Sequence, residues 1–383
     1  MIHRIKIKNF RSLDVDVVLD PLTVLIGRSG AGKTNFVDAL RTLRNYLQGH
    51  QQYDNVKPIT GKADLPLEYE ITFGVDQLHE GKFTYVIKTV FSRHSSNQTF
   101  ALTEEKLTFG NSTLFHRTHN EWVVPPPVHG TDEYLNQYPA PCIALLKGNQ
   151  KISIAYIALS TGIGCYDFPS HVCRGMEKEH NSMTSGLSDD GKNVNAIFDE
   201  IKHDLTRIDS WNRINDYVRV MNDTIETIDQ TEQRGGISVT HRFGNMSVLL
   251  PIRNESEGVR RFLAHLLAFH QKPPKQIMVF EEPERGIYPA AFAALAGEMK
   301  NCYSNGQGQV VLTTHSPEML NLFEPENIRV VEMQDGITRI GGIAKEQMEA
   351  LRENLLYPRE LLTVEDARLD AGIIASEKEV RSA

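Results

Sequence analysis

The chain has 383 residues, of which 40% are hydrophobic and 23% are charged, and its formal net charge is -8. These values are typical of a globular protein of two or three domains and exclude wholesale disorder or a fibrous protein. The net negative charge excludes a basic nucleic-acid coat over the whole surface, although it is compatible with a local basic groove.

The first 110 residues predict a mainly β region around one helix. Charged and apolar residues alternate over 3–9 and 14–19, as in half-buried strands. The apolar run Leu22–Ile26 predicts a buried strand, and an apolar stripe predicts a helix from Lys33. After a polar loop at 48–66, an antiparallel sheet is expected over three further runs, which are 67–75, 82–91 and 99–109.

The rest of the chain changes from irregular to alternating structure. The proline-rich residues 110–141 predict a loop or irregular crossover, and 152–159 predict a strand. Apolar spacing predicts two short helices between about 187 and 225. Two strands near 237–243 and 246–250 follow, and then helices alternate with strands at 276–280, 309–313 and 328–333. Such alternation predicts a parallel sheet with helices on its faces.

The sequence predicts neither a membrane-spanning protein nor an exported one. It has no run of about 18 uninterrupted apolar residues, which a spanning helix needs. Its N-terminus interleaves charged with apolar residues, unlike a signal peptide. The four cysteines form no CxxC pair, which favours reduced thiols. We therefore expect a cytoplasmic protein without a membrane partner.

A glycine-rich segment provides the first functional signal. Residues 27–34 fit the pattern G-x-x-x-x-G-K-[ST], between a predicted strand and a predicted helix. In that setting, backbone N–H groups and the helix N-terminus bind phosphates. Lys33 should reach the β- and γ-phosphates of ATP, and the Thr34 hydroxyl should bind Mg²⁺. The predicted phosphate-binding residues are Gly27, Arg28, Ser29, Gly30, Ala31, Gly32, Lys33, Thr34 and Asn35.

Two further segments follow predicted strands. Glu281 and Glu282 follow the apolar run near 276–280, where one carboxylate can support Mg²⁺ and the next can act as a general base towards water. His315 follows the run near 309–313 and can contact the γ-phosphate or position water. Alone, an acidic turn or a single histidine is more often structural; the combination with a phosphate loop favours catalysis.

These segments, in this order, resemble the ABC-type ATPase heads of the RecF, SMC and OLD group. The run Asn9-Phe-Arg-Ser12 looks like their N-F-R-S strand end, which implies that Arg11 leans towards bound nucleotide. Lys33-Thr-Asn35 is similar to their K-[ST]-N, Glu281–Pro289 to their acidic motif, and Thr314–Pro317 to their switch-histidine motif. The resemblance implies a P-loop NTPase of α/β class, with a mixed sheet, an antiparallel subdomain and a short helical lobe.

A further segment, at residues 256–258, resembles the signature motif of the same ATPase group. Ser256, Glu257 and Gly258 resemble the family's L-S-x-G-x-x-[QR], which in such heads caps the γ-phosphate held by a second subunit. This implies a homodimer with ATP sandwiched between two heads. Glu255 replaces the usual leucine, and Tyr288 replaces the histidine that usually precedes Pro289. The family's glutamine loop has no clear counterpart, and Gln150 is a guess.

The interval between the phosphate loop and the signature-like segment helps to distinguish the branches of this ATPase group. It lacks sustained heptads, unlike an SMC protein, and the chain after His315 lacks the clustered acidic motif of an OLD nuclease. The closest resemblance is to small stand-alone RecF-like ATPases, many of which look like parts of bacterial repair or phage-defence modules. Four segments are expected: 1–160 and 236–345 as the two parts of the head, 161–235 as a helical lobe, and 346–383 as a tail.

Several alternatives stay open. DNA and a separately encoded nuclease or toxin are expected as candidate partners, and the chain could instead be a non-hydrolysing ATP-dependent scaffold. A transporter ATPase subunit fits the motifs less well. A basic strip would serve DNA, although a solvated surface explains it equally; its members are Lys147, Lys151, Arg213, Arg219 and Arg242. A zinc site is disfavoured because its candidates lack standard spacing; they are Cys165, His171, Cys173 and His180.

Overall fold

The computed structural model describes residues 1–50, 65–75, 78, 81–94, 97–118, 121–124, 141–146, 148–171, 186–230 and 236–370. The chain forms two compact units. The first comprises Met1–Ile163, Pro325–Leu356 and the chain from Val364 onward, and the second comprises Gly164–Glu324 and Tyr357–Thr363.

The first unit is built on a mixed sheet with the order β8-β7-β6-β5-β4-β1-β2-β16-β15-β3. Most neighbours are antiparallel, whereas β3 pairs with β15, and β2 with β16, in parallel. The strands are β1 (Ile2–Phe10), β2 (Leu13–Val18), β3 (Leu22–Ile26), β4 (Leu67–Phe73), β5 (Phe83–His94), β6 (Asn97–Phe109), β7 (Ser112–Thr118), β8 (Glu121–Val124), β15 (Ile328–Gln334) and β16 (Ile337–Gly341).

Burial in the first unit follows the sequence periodicity. Ile5 and Ile7 of β1 are fully buried, whereas the lysines between and beside them are only partly covered. All five residues of β3 are buried, which is typical of a central strand. The helices are α1 (Lys33–Leu47), α2 (Gln150–Ser160) and α8 (Lys345–Arg352). The buried stripe of α1 contains Phe36, Val37, Leu40, Leu43 and Leu47, as its spacing predicts.

The second unit contains a short sheet with the order β14-β13-β9 and a separate antiparallel sheet with the order β10-β11-β12. Its strands are β9 (Ile163–Tyr166), β10 (Ile225–Gln230), β11 (Ile237–Phe243), β12 (Met246–Pro251), β13 (Ile277–Glu281) and β14 (Gln309–Thr313). Its helices are α3 (Val194–His203), α4 (Ile208–Arg219), α5 (Glu257–His270), α6 (Phe292–Ser304) and α7 (Pro317–Leu320). Aromatic rings pack at its core, with Phe280 close to Tyr166, His265 and Phe269.

Three local predictions are wrong. Residues 152–159 form part of helix α2 and not a strand, because Ile152, Ala155 and Leu159 are buried at helical spacing and Asn149 caps the helix through the Ile152 N–H. Residues 112–118 and 121–124 form strands within the predicted loop. Ile225 begins strand β10 instead of extending the second helix, which ends at Arg219.

The strands expected near residues 3–9, 14–19, 237–243, 246–250, 276–280, 309–313 and 328–333 are confirmed. The four-segment division stays a prediction, because the two compact units do not assign a role to any segment. Within the described ranges, no helix combines the length and apolar character that crossing a membrane requires.

Candidate functional site

The phosphate loop joins β3 to α1 in the first unit. Gly27 has φ 152° and Gly32 has φ 108°, values that non-glycine residues rarely adopt. A Cβ at Gly27 would lie 2.1 Å from the Val331 carbonyl oxygen, and a Cβ at Gly32 would lie 2.1 Å from the Thr338 hydroxyl oxygen. The loop therefore requires glycine at both positions for conformation and for space.

Lys33 lies inside this loop. Its side chain is buried, and Nζ donates to the carbonyl oxygens of Gly27 at 2.7 Å and Arg28 at 3.2 Å. The first turn of α1 contains no acidic side chain, and its N-cap Gly32 offers no side-chain acceptor. A helix N-terminus without a capping carboxylate, beside a lysine ammonium, suits a phosphate group.

The other loop residues are more open. Arg28, Ser29, Gly30 and Thr34 are exposed, whereas Ala31 is buried. Arg28 forms an exposed ion pair with Asp366 in the chain segment that follows Val364, and this contact lowers the pKa of Asp366. An exposed pair of this kind contributes little stability, so Arg28 can exchange Asp366 for another anion at little cost.

Arg11 lies against the start of α1. Its Nη1 donates to Asn35 Oδ1 at 3.0 Å and to Asp38 Oδ2 at 2.7 Å, and its φ of 49° is unusual for a non-glycine residue. The structure thus brings together Arg11 and Asn35. An approach of Arg11 to nucleotide stays a prediction.

The hydroxyl groups of Thr338 and Ser12 form hydrogen bonds that support the phosphate loop, a role that was not predicted from the sequence. The buried Thr338 hydroxyl donates to the Ala31 carbonyl oxygen at 2.9 Å and lies 2.7 Å from the Ser12 hydroxyl. The Asn35 amide donates to that Ser12 hydroxyl at 2.8 Å. Nothing in the local sequence marks Thr338, because it comes from a strand more than three hundred residues after Ser12.

Glu282 and His315, which are predicted to act in hydrolysis, lie in the second unit on two turns: an acidic turn after β13 and a histidine turn after β14. These strands pair in parallel with Glu281 opposite Thr313, so the turns lie side by side. The Glu282 N–H donates to both the carbonyl and the hydroxyl oxygen of Thr313 at 3.1 Å. The prediction that these strands belong to a parallel sheet is confirmed by this pairing, which also makes them neighbours.

Glu282 has an unusual backbone and two basic neighbours. Its φ is 44°, which holds the residue in the left-handed region. The Arg285 Nη2 donates to Glu282 Oε2 at 2.6 Å, and His315 Nε2 lies 4.0 Å from Glu282 Oε1. Glu281, the last residue of β13, is half-buried. The structure therefore brings together Glu282 and His315, the two residues predicted to act on water and the γ-phosphate.

Sequence reasoning missed the connecting role of Glu284. Its Oε1 accepts hydrogen bonds from the Thr314 hydroxyl at 2.6 Å and the His315 N–H at 3.1 Å. Burial raises the pKa of Glu284 above its usual range. The acidic motif contains Glu284, but its spacing alone did not distinguish this residue from the neighbouring glutamates.

The signature-like segment begins α5. The Ser256 hydroxyl accepts a hydrogen bond from the Val259 N–H at 3.3 Å as the N-cap, and Glu257 forms an ion pair with Arg261 at 3.0 Å. A Cβ at Gly258 would lie 2.7 Å from the Gly286 carbonyl oxygen, so Gly258 lets α5 approach the acidic turn. Contact of these residues with a second subunit's nucleotide stays a prediction.

The departure at Glu255 has a local structural reason. Its carboxylate is buried and lies 2.8 Å from Nε2 of the buried His241 on β11, whose Nδ1 lies 2.8 Å from the Thr224 hydroxyl. A leucine could not provide this hydrogen bond. The side chain of Glu255 thus connects the three-stranded sheet to the start of α5, where Ser256 is the N-cap.

The remaining candidates are less informative. Gln150 is exposed as the first residue of α2, and its assignment to a glutamine loop stays a guess. Arg213, Arg219 and Arg242 each contact a carboxylate, which weakens the basic-strip interpretation. Cys165 is buried in β9, while Cys173, His180 and Lys147 lie outside the described residues.

Two segments match known protein families. Residues 1–109 match the family described as "AAA ATPase domain", and residues 166–321 match the one described as "AAA domain, putative AbiEii toxin, Type IV TA system". Both segments match AAA-family ATPase domains. The first contains the phosphate loop, and the second contains the signature-like segment, the acidic turn and the histidine turn. No curated protein matches the chain significantly.

Solved SMC heads are similar in fold. An SMC head bound to the C-winged helix domain of ScpA matches with 13% identity and a TM-score of 0.54, over 90% of this chain and 99% of that chain. A Pyrococcus furiosus structure, an Smc head domain with an extended coiled coil bound to the C-terminal domain of ScpA, matches with 12% identity and a TM-score of 0.50, over 92% and 99%. The predicted α/β, P-loop NTPase head fold is thereby confirmed, and with it the resemblance in fold to SMC heads.

Proposed function

We propose that this chain is an ATPase, which binds and hydrolyses ATP in the cytoplasm, and that ATP joins two copies into a dimer. The observation that carries the proposal is the phosphate loop, in which Lys33 is buried against the Gly27 and Arg28 carbonyl oxygens at the uncapped start of α1. This geometry supports binding of a polyphosphate, since Lys33 and the helix end offer positive charge and the first turn of α1 contains no carboxylate.

Each predicted residue has a distinct proposed role. Lys33 binds the β- and γ-phosphates, while Arg11 and Asn35 flank the nucleotide. Thr34 and Glu281 offer oxygen ligands that fit Mg²⁺, which when bound neutralises phosphate charge. Glu282 accepts the proton of the attacking water, and His315 contacts the γ-phosphate. The close approach of Glu282 and His315 supports their acting together.

ATP hydrolysis is tested by phosphate release. Wild-type protein with ATP and Mg²⁺ is expected to release phosphate continuously, whereas Lys33→Ala serves as the inactive reference. The competing function is an ATP-dependent scaffold that binds ATP without turnover. The ion pair between Glu282 and Arg285 favours that alternative, because it occupies the proposed base. ATP binding without phosphate release, under every condition of salt, DNA and RNA, would select the scaffold.

The proposed dimer places Ser256, Glu257 and Gly258 of one copy against the nucleotide of the other. Ser256→Arg should leave ATP binding intact but prevent ATP-dependent dimerisation, since its bulk and charge would oppose the facing loop. Light scattering with and without ATP measures this, and Ser304→Arg is a control at the end of α6. An ATP-dependent dimer of the Ser256→Arg protein would contradict the model.

The output of the ATPase is proposed to be gating of DNA or of a separately encoded nuclease or toxin. Such an output would serve bacterial defence or genome maintenance, and the match to the family described as "AAA domain, putative AbiEii toxin, Type IV TA system" supports the toxin alternative. The described residues contain no cluster of three or more His, Cys, Asp or Glu side chains arranged to hold a metal ion. Because the output is proposed to belong to a separately encoded partner, purified protein incubated with DNA or RNA, ATP and Mg²⁺ or Mn²⁺ should leave the nucleic acid intact. Cleavage that an active-site variant abolishes would contradict this.

A further inference from the structure

One half-buried residue, Glu284, joins the acidic turn to the histidine turn through its carboxylate. Glu284 Oε1 accepts hydrogen bonds from the Thr314 hydroxyl at 2.6 Å and from the His315 N–H at 3.1 Å. The other carboxylate oxygen, Oε2, is buried and has no hydrogen-bond partner among the described residues. Glu284 is therefore directed into the protein, towards the histidine turn.

The contact fixes the backbone of the histidine turn at its start. The Thr314 side chain is fully buried, and its hydroxyl also accepts a hydrogen bond from the Ser316 N–H at 3.0 Å. The Ser316 hydroxyl in turn caps α7 by accepting from the Met319 N–H at 3.1 Å. A continuous series of hydrogen bonds thus runs from Glu284 through the residues on both sides of His315.

Glu282 and Glu284 perform different tasks although they are two residues apart. The Glu282 carboxylate is partly exposed, contacts Arg285 and faces His315 Nε2. Glu284 instead accepts a hydrogen bond from the His315 N–H and so holds the main chain of that residue. Glu284 therefore fixes the main chain from which the His315 ring projects, and this restricts the positions that the ring can take relative to Glu282 through its side-chain rotamers.

We propose that Glu284 is a positioning residue for ATP hydrolysis, which holds the His315 turn against the acidic turn so that His315 and Glu282 act as one unit. The inference rests on the proposed ATPase function and extends it to a residue that need not touch nucleotide. Small displacements of reacting groups can reduce rates by about 100-fold, so a residue of this kind can be important for turnover.

The experiment compares four variants in steady-state ATP turnover: Glu284→Ala, Glu284→Gln, His315→Ala and the Glu284→Ala/His315→Ala double variant. Glu284→Ala should lower kcat at least about tenfold with KM changed less than about twofold, because it affects the reacting geometry and not phosphate binding. Glu284→Gln keeps an acceptor oxygen and should retain kcat within about threefold. Glu324→Ala, at an exposed position of the same unit, is the matched control.

The double variant distinguishes positioning from general destabilisation. If Glu284 acts through His315, the double variant should be no slower than His315→Ala alone, whereas independent effects would multiply. Should Glu284→Ala fail to fold, Thr314→Val removes the hydroxyl donor with little change of shape and enters the same cycle with His315→Ala.

The outcomes separate this inference from the proposed function. Wild-type protein without turnover would overturn both. Turnover in the wild type with normal kcat in Glu284→Ala, or a double variant in which the two losses multiply, would overturn only the inference. A loss in Glu284→Ala, its recovery in Glu284→Gln and a non-multiplying double variant would support it.

Discussion

The phosphate loop and the pair formed by the acidic turn and the histidine turn reach their shapes by different means. The loop is shaped mainly by backbone: Gly27 and Gly32 adopt left-handed φ values at positions where a Cβ would collide with Val331 or Thr338. The turns are shaped by side chains, with Glu284 holding Thr314 and the His315 N–H. A backbone-shaped site is visible in sequence as a glycine pattern, whereas a site shaped by side chains depends on pairings that only the folded chain reveals.

The largest expected effect is the loss of ATP binding in Lys33→Ala. This change removes the ammonium that the loop holds against its own carbonyl oxygens, and ATP affinity should fall more than about 100-fold. Isothermal titration calorimetry with ATP measures the affinity, and Lys300→Ala serves as a control that leaves the loop unchanged. Wild-type affinity in Lys33→Ala would contradict the assignment of the loop.

Glu282→Gln should distinguish the contribution of the acidic turn, which is hydrolysis, from that of the phosphate loop, which is ATP binding. The amide cannot accept a proton from water, so turnover should fall at least about 100-fold while ATP affinity stays within about threefold of wild type. Phosphate release and calorimetry on the same preparation give both values. Turnover at the wild-type rate would mean that another residue is the base.

The next effect concerns stability beside the signature-like segment. His241→Ala leaves the buried Glu255 carboxylate without its histidine partner and should lower the free energy of unfolding by about 2 kcal/mol. His203→Ala removes a histidine that pairs with Asp199 on the surface and should cost less than about 0.5 kcal/mol. Urea denaturation followed by circular dichroism compares the two. Equal losses would show that burial of the His241 pair adds nothing.

The smallest effect tests whether the backbone-shaped loop also needs side-chain support. Thr338→Val removes the hydroxyl that donates to the Ala31 carbonyl oxygen, at a cost of about 1 kcal/mol in unfolding free energy. ATP affinity should decrease only a few-fold, since Gly27 and Gly32 still set the loop. A decrease as large as that of Lys33→Ala would place Thr338 among the residues that define the site.

Much of this molecule could be predicted where a local pattern fixes the outcome. The strand, loop and helix around Lys33 follow from an apolar run, two glycines and a helical stripe, and the structure has all three. Residues 152–159 were misassigned because their apolar residues suit either period; tertiary burial and the Asn149 cap select the helix. Glu284 and Thr338 could not be predicted, because their partners depend on strand pairing and not on sequence spacing.

The pairing of His241 with Glu255 has a consequence for the evolution of this chain. Burying either side chain without the other costs free energy, because its polar group loses its hydrogen-bond partner. A substitution at one position therefore favours a compensating substitution at the other. Among related sequences, residues 241 and 255 should vary together. In sequences with leucine at the position of Glu255, the residue at the position of His241 should be apolar or small. Histidine should occur at that position mainly in sequences that have an acidic residue in place of the leucine.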